Sequence, residues 1–85
     1  MSALDKDFDR ELGQRIQKYR LERGLTQGQL AARLQTHGCD LTRSAIAKIE
    51  VGQRRISGRE IRNFCIALEI AYEALLDGET PESVE

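Results

Sequence analysis

The sequence predicts an all-α fold of five helices, and three observations carry that prediction. A helix-start pattern occurs three times, glycines stand where helices should stop, and no segment alternates with period two long enough to make a strand. The starts are the hexapeptides "LTQGQL" at 25–30, "LTRSAI" at 41–46 and "ISGREI" at 56–61. Each places an apolar residue before a Ser or Thr and a second apolar residue after three more positions. That is the spacing of a hydrophobic staple around an N-cap. Thr26, Thr42 and Ser57 can then accept hydrogen bonds from helix amides that lack an intrahelical partner. The pairs Leu25–Leu30, Leu41–Ile46 and Ile56–Ile61 pin the entry angles, and Gln29 and Glu60 complete two capping boxes.

The elements follow in order. Leu4, Phe8, Leu12 and Ile16 recur at four-residue spacing and Gly24 follows, so the first helix runs from about Asp5 to Arg23. The second runs from about Gln27 to Gln35, with Leu30, Ala31 and Leu34 inward; Gly28 weakens it by up to about 1 kcal/mol. After the one long turn, "QTHGCDLT", the third helix occupies about 43–51 and closes at Gly52. The fourth, about 58–68, carries Ile61, Phe64, Cys65 and Leu68 on one side. A short fifth helix through "AYEALLD" closes at Gly78. The chain is expected to be one domain over 1–80, followed by a short disordered acidic tail at 81–85.

With 85 residues, one small domain is the expectation. No apolar run approaches the roughly 18 residues of a membrane span, and "MSALDKDFDRE" has no apolar core of a signal peptide. Cys39 and Cys65 read as free thiols of a cytoplasmic protein. The formal net charge of -1 conceals an asymmetry. Residues 12–62 hold eleven Lys and Arg against Glu22, Asp40, Glu50 and Glu60, a net +7, between ends carrying -2 and -6. A basic middle between acidic ends is the footprint of a polyanion-binding surface.

The third helix has a narrow apolar back. At 100° per residue Ile46, Ile49 and Glu50 share one side, whereas Arg43, Ser44, Ala47 and Lys48 take the opposite arc. That outer face is compact, polar and basic, which suits entry into a DNA major groove. An ordinary solvated surface helix fits the same pattern.

The stretch "LGQRIQKYRLERGLTQGQLAARL", followed by "TRSAIAKIEVGQRRIS", strongly resembles the phage-repressor and Cro-like (XRE-type) helix-turn-helix family. The resemblance covers roughly residues 12–78 and rests on "R.ERGLTQ..LA", "SAIAKIE.G" and "AL.I....LL.G" taken together. It implies a lambda-repressor-like five-helix domain whose second and third helices bind double-stranded DNA. By that resemblance Arg43, Ser44, Ala45 and Lys48 occupy base-reading positions. Gln27, Thr42, Gln53, Arg54 and Arg55 match positions that hold the DNA backbone, and Arg20 and Glu50 match an ion pair joining the first helix to the third. The turn before the third helix is several residues longer than in the shortest relatives, so the recognition helix is open to a changed angle, or the turn itself to DNA contact.

Arg43 suits bidentate binding of guanine O6 and N7, with a phosphate contact as the alternative. Arg54 and Arg55 read as phosphate ligands. His37, beside Gly38, reads as a solvated turn residue, and no metal set, cofactor site or nucleophile–base pair is apparent, so neither metal binding nor enzymatic activity is expected. Ile66, Ile70, Tyr72, Leu75 and Leu76 offer more apolar surface than a small domain readily covers, and the family commonly forms homodimers through its C-terminal helices. The expected function is transcriptional regulation, most simply repression, in the cytoplasm. An antitoxin-like or adaptor protein, using the scaffold to hold another protein, is the second reading.

Overall fold

Helices α1 (Ala3–Glu22), α2 (Gln27–Thr36), α3 (Arg43–Glu50), α4 (Gly58–Leu68) and α5 (Tyr72–Leu76) succeed one another in a computed structural model that describes residues 3–77. Side chains are described from residue 7 onward. No strand occurs among the described residues, in keeping with the all-α class. The expected stop at Gly78, the domain limit at 80 and the acidic tail at 81–85 lie outside them, as does the side chain of Leu4.

All three start signals form as expected. The Thr26 hydroxyl accepts from the Gln29 amide at 3.0 Å, while the Gln29 side chain accepts from the Thr26 amide at 2.9 Å. Ser57 and Glu60 repeat the arrangement at 3.1 and 3.0 Å. Thr42 accepts from the Ala45 amide at 3.1 Å, with no return bond because alanine has no acceptor. Each cap contributes about 1 kcal/mol. Helix α5 starts at Ala71 with no side-chain cap.

The stops share one geometry. After α1, α2 and α3 the glycines Gly24, Gly38 and Gly52 take φ of 71°, 79° and 78°. Beyond each, an amide reaches back five residues: Leu25 to Arg20, Cys39 to Leu34 and Gln53 to Lys48, at 3.0, 2.9 and 2.8 Å. These are Schellman closures, and the left-handed φ is why glycine stands there. Helix α4 closes the same way, through the Ile70 amide to Cys65 O at 3.0 Å, but its left-handed residue is Glu69 at φ 59°. The end at Leu68 is the expected one, although no glycine stands there to mark it.

Leu12, Ile16, Leu30, Leu34, Ile46, Ile49, Phe64, Leu68 and Leu75 make a fully buried core drawn from all five helices. The stripe of α1 is buried only from Leu12 onward; Phe8 remains 43% exposed, because periodicity gives the face but not how far the neighbouring helices extend. Gly13 sets the closest helix approach. A Cβ there would overlap the Ile49 carbonyl oxygen and lie 3.1 Å from the Cα of Glu50. Gly13, Ile16 and Arg20 share one side of α1 (i, i+3, i+7), so this contact also carries Arg20 toward Glu50.

Candidate nucleic-acid interface

The outer face of α3 is held by what lies behind it. Ile46 and Ile49 are fully buried, and Glu50, only 3% exposed, turns its carboxylate inward with them. Arg20 donates to both carboxylate oxygens, Nε to Oε2 at 2.7 Å and Nη2 to Oε1 at 3.0 Å. Its Nη1 donates to Leu25 O at 2.8 Å, and Gln27 Nε2 donates to Glu50 Oε1 at 3.0 Å. One buried carboxylate therefore ties α1, the α1–α2 turn, α2 and α3 together. Burial makes the charge costly, and three directed donors offset that cost. The Arg20–Glu50 pair expected from the sequence is present; the contribution of Gln27 was not foreseen.

Ser44 and Lys48 are exposed on the side of α3 away from that network, and Ala47 is half-buried beside them. Arg43, expected on the same arc, stands seven residues before Glu50 and so only about 20° from it, exposed on the flank where it lines a cleft with Arg20 and Gln27. Ala45 is half-buried and packs against the core, turned partly inward from the other base-reading candidates. Arg20, Thr26, Gln27, Gly28 and Arg43 line a cleft of about 520 Å³ between the N-terminal ends of α2 and α3. Gly28 puts no side chain over the first turn of α2, where backbone amides point outward and favour an anion. The Thr42 hydroxyl accepts from Ala45 and keeps its own hydrogen to donate. Gln27 likewise retains one amide hydrogen.

Beyond α3 the expected backbone-holding residues diverge. Gln53 is exposed, and Arg55 is 63% exposed with Asp9 at 3.6 Å. Arg54 is engaged within the protein, donating to Glu60 Oε1 and Oε2 at 3.1 Å each and to Arg55 O at 2.9 Å. The Arg54 guanidinium, with the Ser57 amide, holds the Glu60 carboxyl below its ordinary range despite partial burial. Glu60 thus closes the capping box of α4 and fixes the α3–α4 loop at once.

Other members of the basic middle serve helix ends. Arg15 donates to Leu75 O and Leu76 O at 3.2 and 2.7 Å. Arg23 donates to Leu68 O and Glu69 O at 2.7 and 2.9 Å, and Arg33 to Ala67 O at 3.2 Å. Guanidinium groups here satisfy the free carbonyls of α4 and α5 and complement their dipoles. No sequence spacing announces such contacts, since they join residues 34 to 61 positions apart.

The turn of residues 37–42 is anchored. Cys39 and Leu41 are buried, and burial pushes the Cys39 thiol up, with the polar side chain of Asn63 on α4 acting the other way. His37 is exposed, and Cys39 and Cys65 are unpaired buried thiols. Among the described residues no cluster of metal-ligating side chains occurs, and no helix is long and apolar enough to cross a membrane.

Five helices, with α2 and α3 joined by a turn and α3 presenting a polar outer face, define a helix-turn-helix protein. The family model for the helix-turn-helix domain matches residues 11–77, and the chain belongs to that family. No curated protein sequence matches the chain significantly.

Proposed function

We propose that this protein is a sequence-specific regulator of transcription, acting in the cytoplasm as a repressor that lays α3 in the major groove of double-stranded DNA. The carrying observation is the exposed face of Arg43, Ser44 and Lys48 beside the cleft at the start of α2, fixed from behind by Glu50. Arg43 reads a guanine, Ser44 and Lys48 contact neighbouring base edges, and Ala45 permits close approach. Gln27, Thr42 and the α2 amides receive one phosphate, and Gln53 and Arg55 a second. Arg54 acts mainly by holding this loop through Glu60.

The test is binding to selected duplexes across a salt series. Arg55 is the free cation assigned to a phosphate and Arg43 and Lys48 are assigned to bases, so the log–log slope should lie between about -1 and -3 per protomer, not the roughly -6 that a net +7 suggests. Arg43→Ala should relax preference at one base pair, by about 1–3 kcal/mol, while Arg55→Ala should weaken every site alike. Absence of salt-sensitive duplex binding would refute the proposal.

For the homodimer the observation is a groove of about 380 Å³ along α4 and α5, lined by Arg62, Ile66, Ile70, Tyr72, Glu69 and Glu73 among others. Ile66 and Tyr72 are 44% and 48% exposed, and the flanking charges have both signs. A two-fold interface needs such self-complementarity, placing Arg62 of one copy near the acids of the other. The same groove supports the second reading, an adaptor holding a different protein. Sedimentation of the pure chain with and without duplex separates the two.

A further inference from the structure

Val51 is the one large apolar side chain on the outer face of α3, and nothing in the fold uses it. It is 59% exposed, whereas Ile46 and Ile49 on the opposite side are fully buried. As the C-cap residue of α3 its Cα follows the helical path set by the residues before it, while its own φ and ψ of -101° and 8° leave the helical region. At 100° per residue it falls about 20° from Ser44 and about 40° from Ala47, near the centre of the arc that Arg43 and Lys48 flank. At 1.5 Å per residue it stands about 12 Å beyond Arg43 along the axis. A lone exposed valine elsewhere would need no explanation. Here it occupies the middle of the surface that the DNA-binding reading sets against base edges, and its neighbours Ser44 and Ala47 are too small to hold a base edge away from it.

We infer that Val51, with the methyl of Ala47, forms an apolar spot that reads the C5-methyl group of a pyrimidine in the major groove. Valine has no donor or acceptor. A cytosine N4 or adenine N6 amino group facing it would lose water and gain no partner, whereas a methyl group gains contact and gives up nothing. Bases carrying that methyl are thymine and 5-methylcytosine, which present the same apolar group. From the 12 Å offset, the position read lies within about four base pairs of the one assigned to Arg43.

The inference rests on the DNA-binding reading, and the test separates the two. Sites selected from random duplexes are resynthesised with deoxyuridine for each thymine in turn, which removes only the methyl. A second set carries cytosine or 5-methylcytosine at the same positions. Affinity is measured by fluorescence anisotropy for the full chain and for Val51→Ala, whose exposed site leaves the fold intact, as circular dichroism checks. At one position deoxyuridine should weaken the unaltered protein about fourfold, the worth of one buried methyl, and Val51→Ala should bind both duplexes equally. Discrimination at cytosine against 5-methylcytosine, but not at thymine against uracil, would support methyl reading and identify methylated DNA as its source. Salt-sensitive binding in which no pyrimidine methyl matters, or in which Val51→Ala keeps the discrimination, would overturn this inference and leave the DNA-binding reading standing. No duplex binding at all would overturn both.

Discussion

Glu50→Gln is the most direct challenge to the account of how α3 is held. The substitution preserves volume and removes one charge. In the native arrangement Oε2 accepts from Arg20 Nε, and Oε1 accepts from both Arg20 Nη2 and Gln27 Nε2. A glutamine amide can keep only one of those oxygens. Placing its nitrogen at the Oε2 position costs one charge-assisted bond and sets two donors face to face, while the other orientation costs two bonds. In either, the Arg20 guanidinium stays 8% exposed without a counter-charge. Breaking one side of a buried pair costs about 3–5 kcal/mol, against a total of about 4–13 kcal/mol for a chain of this size. The melting temperature should fall by at least about 12 °C, read by circular dichroism at constant protein concentration. Replacing both partners with apolar residues should cost less than the two single changes added together, since no unpaired charge remains. A Glu50→Gln protein melting within about 3 °C of the native one would refute the reasoning.

Gly13→Ala adds a methyl against the Ile49 carbonyl, a backbone atom that cannot rotate aside; it should destabilise by about 2 kcal/mol or more in urea titration despite alanine's better helix propensity. Glu69→Gly should act in the opposite direction, raising the melting temperature by about 4–8 °C, because glycine removes a left-handed strain of about 1 kcal/mol. For Glu60 the folded carboxyl titrates below its ordinary 4.5, so its contribution is present above that pH and lost as pH falls through the lower folded value. Arg54→Ala should therefore cost about 1 kcal/mol at pH 7 and progressively less as the pH is lowered below 4.5 and the folded carboxyl protonates, measured by urea titration across a pH series.

Most of the fold was legible because its signals are local. The staples and capping boxes lie within six residues, and three of the four Schellman closures carry glycine. The end of α4 at Leu68 agrees with the expected range of about 58–68, but its left-handed closing residue was not legible, since no glycine stands there: Glu69 takes that conformation, and Arg23 donates to its carbonyl oxygen. The site divides in the same way. The outer arc of α3 follows from helical angle alone for Ser44 and Lys48, which are exposed as that angle requires. Arg43 shares the angle of buried Glu50 and is exposed because it stands in the first turn, at the mouth of the cleft beside α2. Glycine 13 gave no sign because its role depends on the crossing of two helices. Gln27 and Arg54 were assigned outward roles by position, yet both side chains are drawn inward by carboxylates distant in the sequence or across a loop.

The charge count changes meaning once donors are followed to their acceptors. A net +7 over residues 12–62 first reads as a broad electrostatic attractant. Five of its eleven cations, Arg15, Arg20, Arg23, Arg33 and Arg54, donate to carbonyls or carboxylates of the same chain. Arginine suits that work, since its planar fork meets two acceptors at once and stays charged when partly buried. On α3 and the loop that follows it the exposed cations are correspondingly few: Arg43, Lys48 and Arg55. Under the function proposed above, few phosphate contacts would mean modest affinity for arbitrary DNA, so discrimination would fall on the side chains set against the bases. Under that proposal, a narrow set of free charges on a rigidly braced helix would favour choosing among sequences over coating DNA indiscriminately.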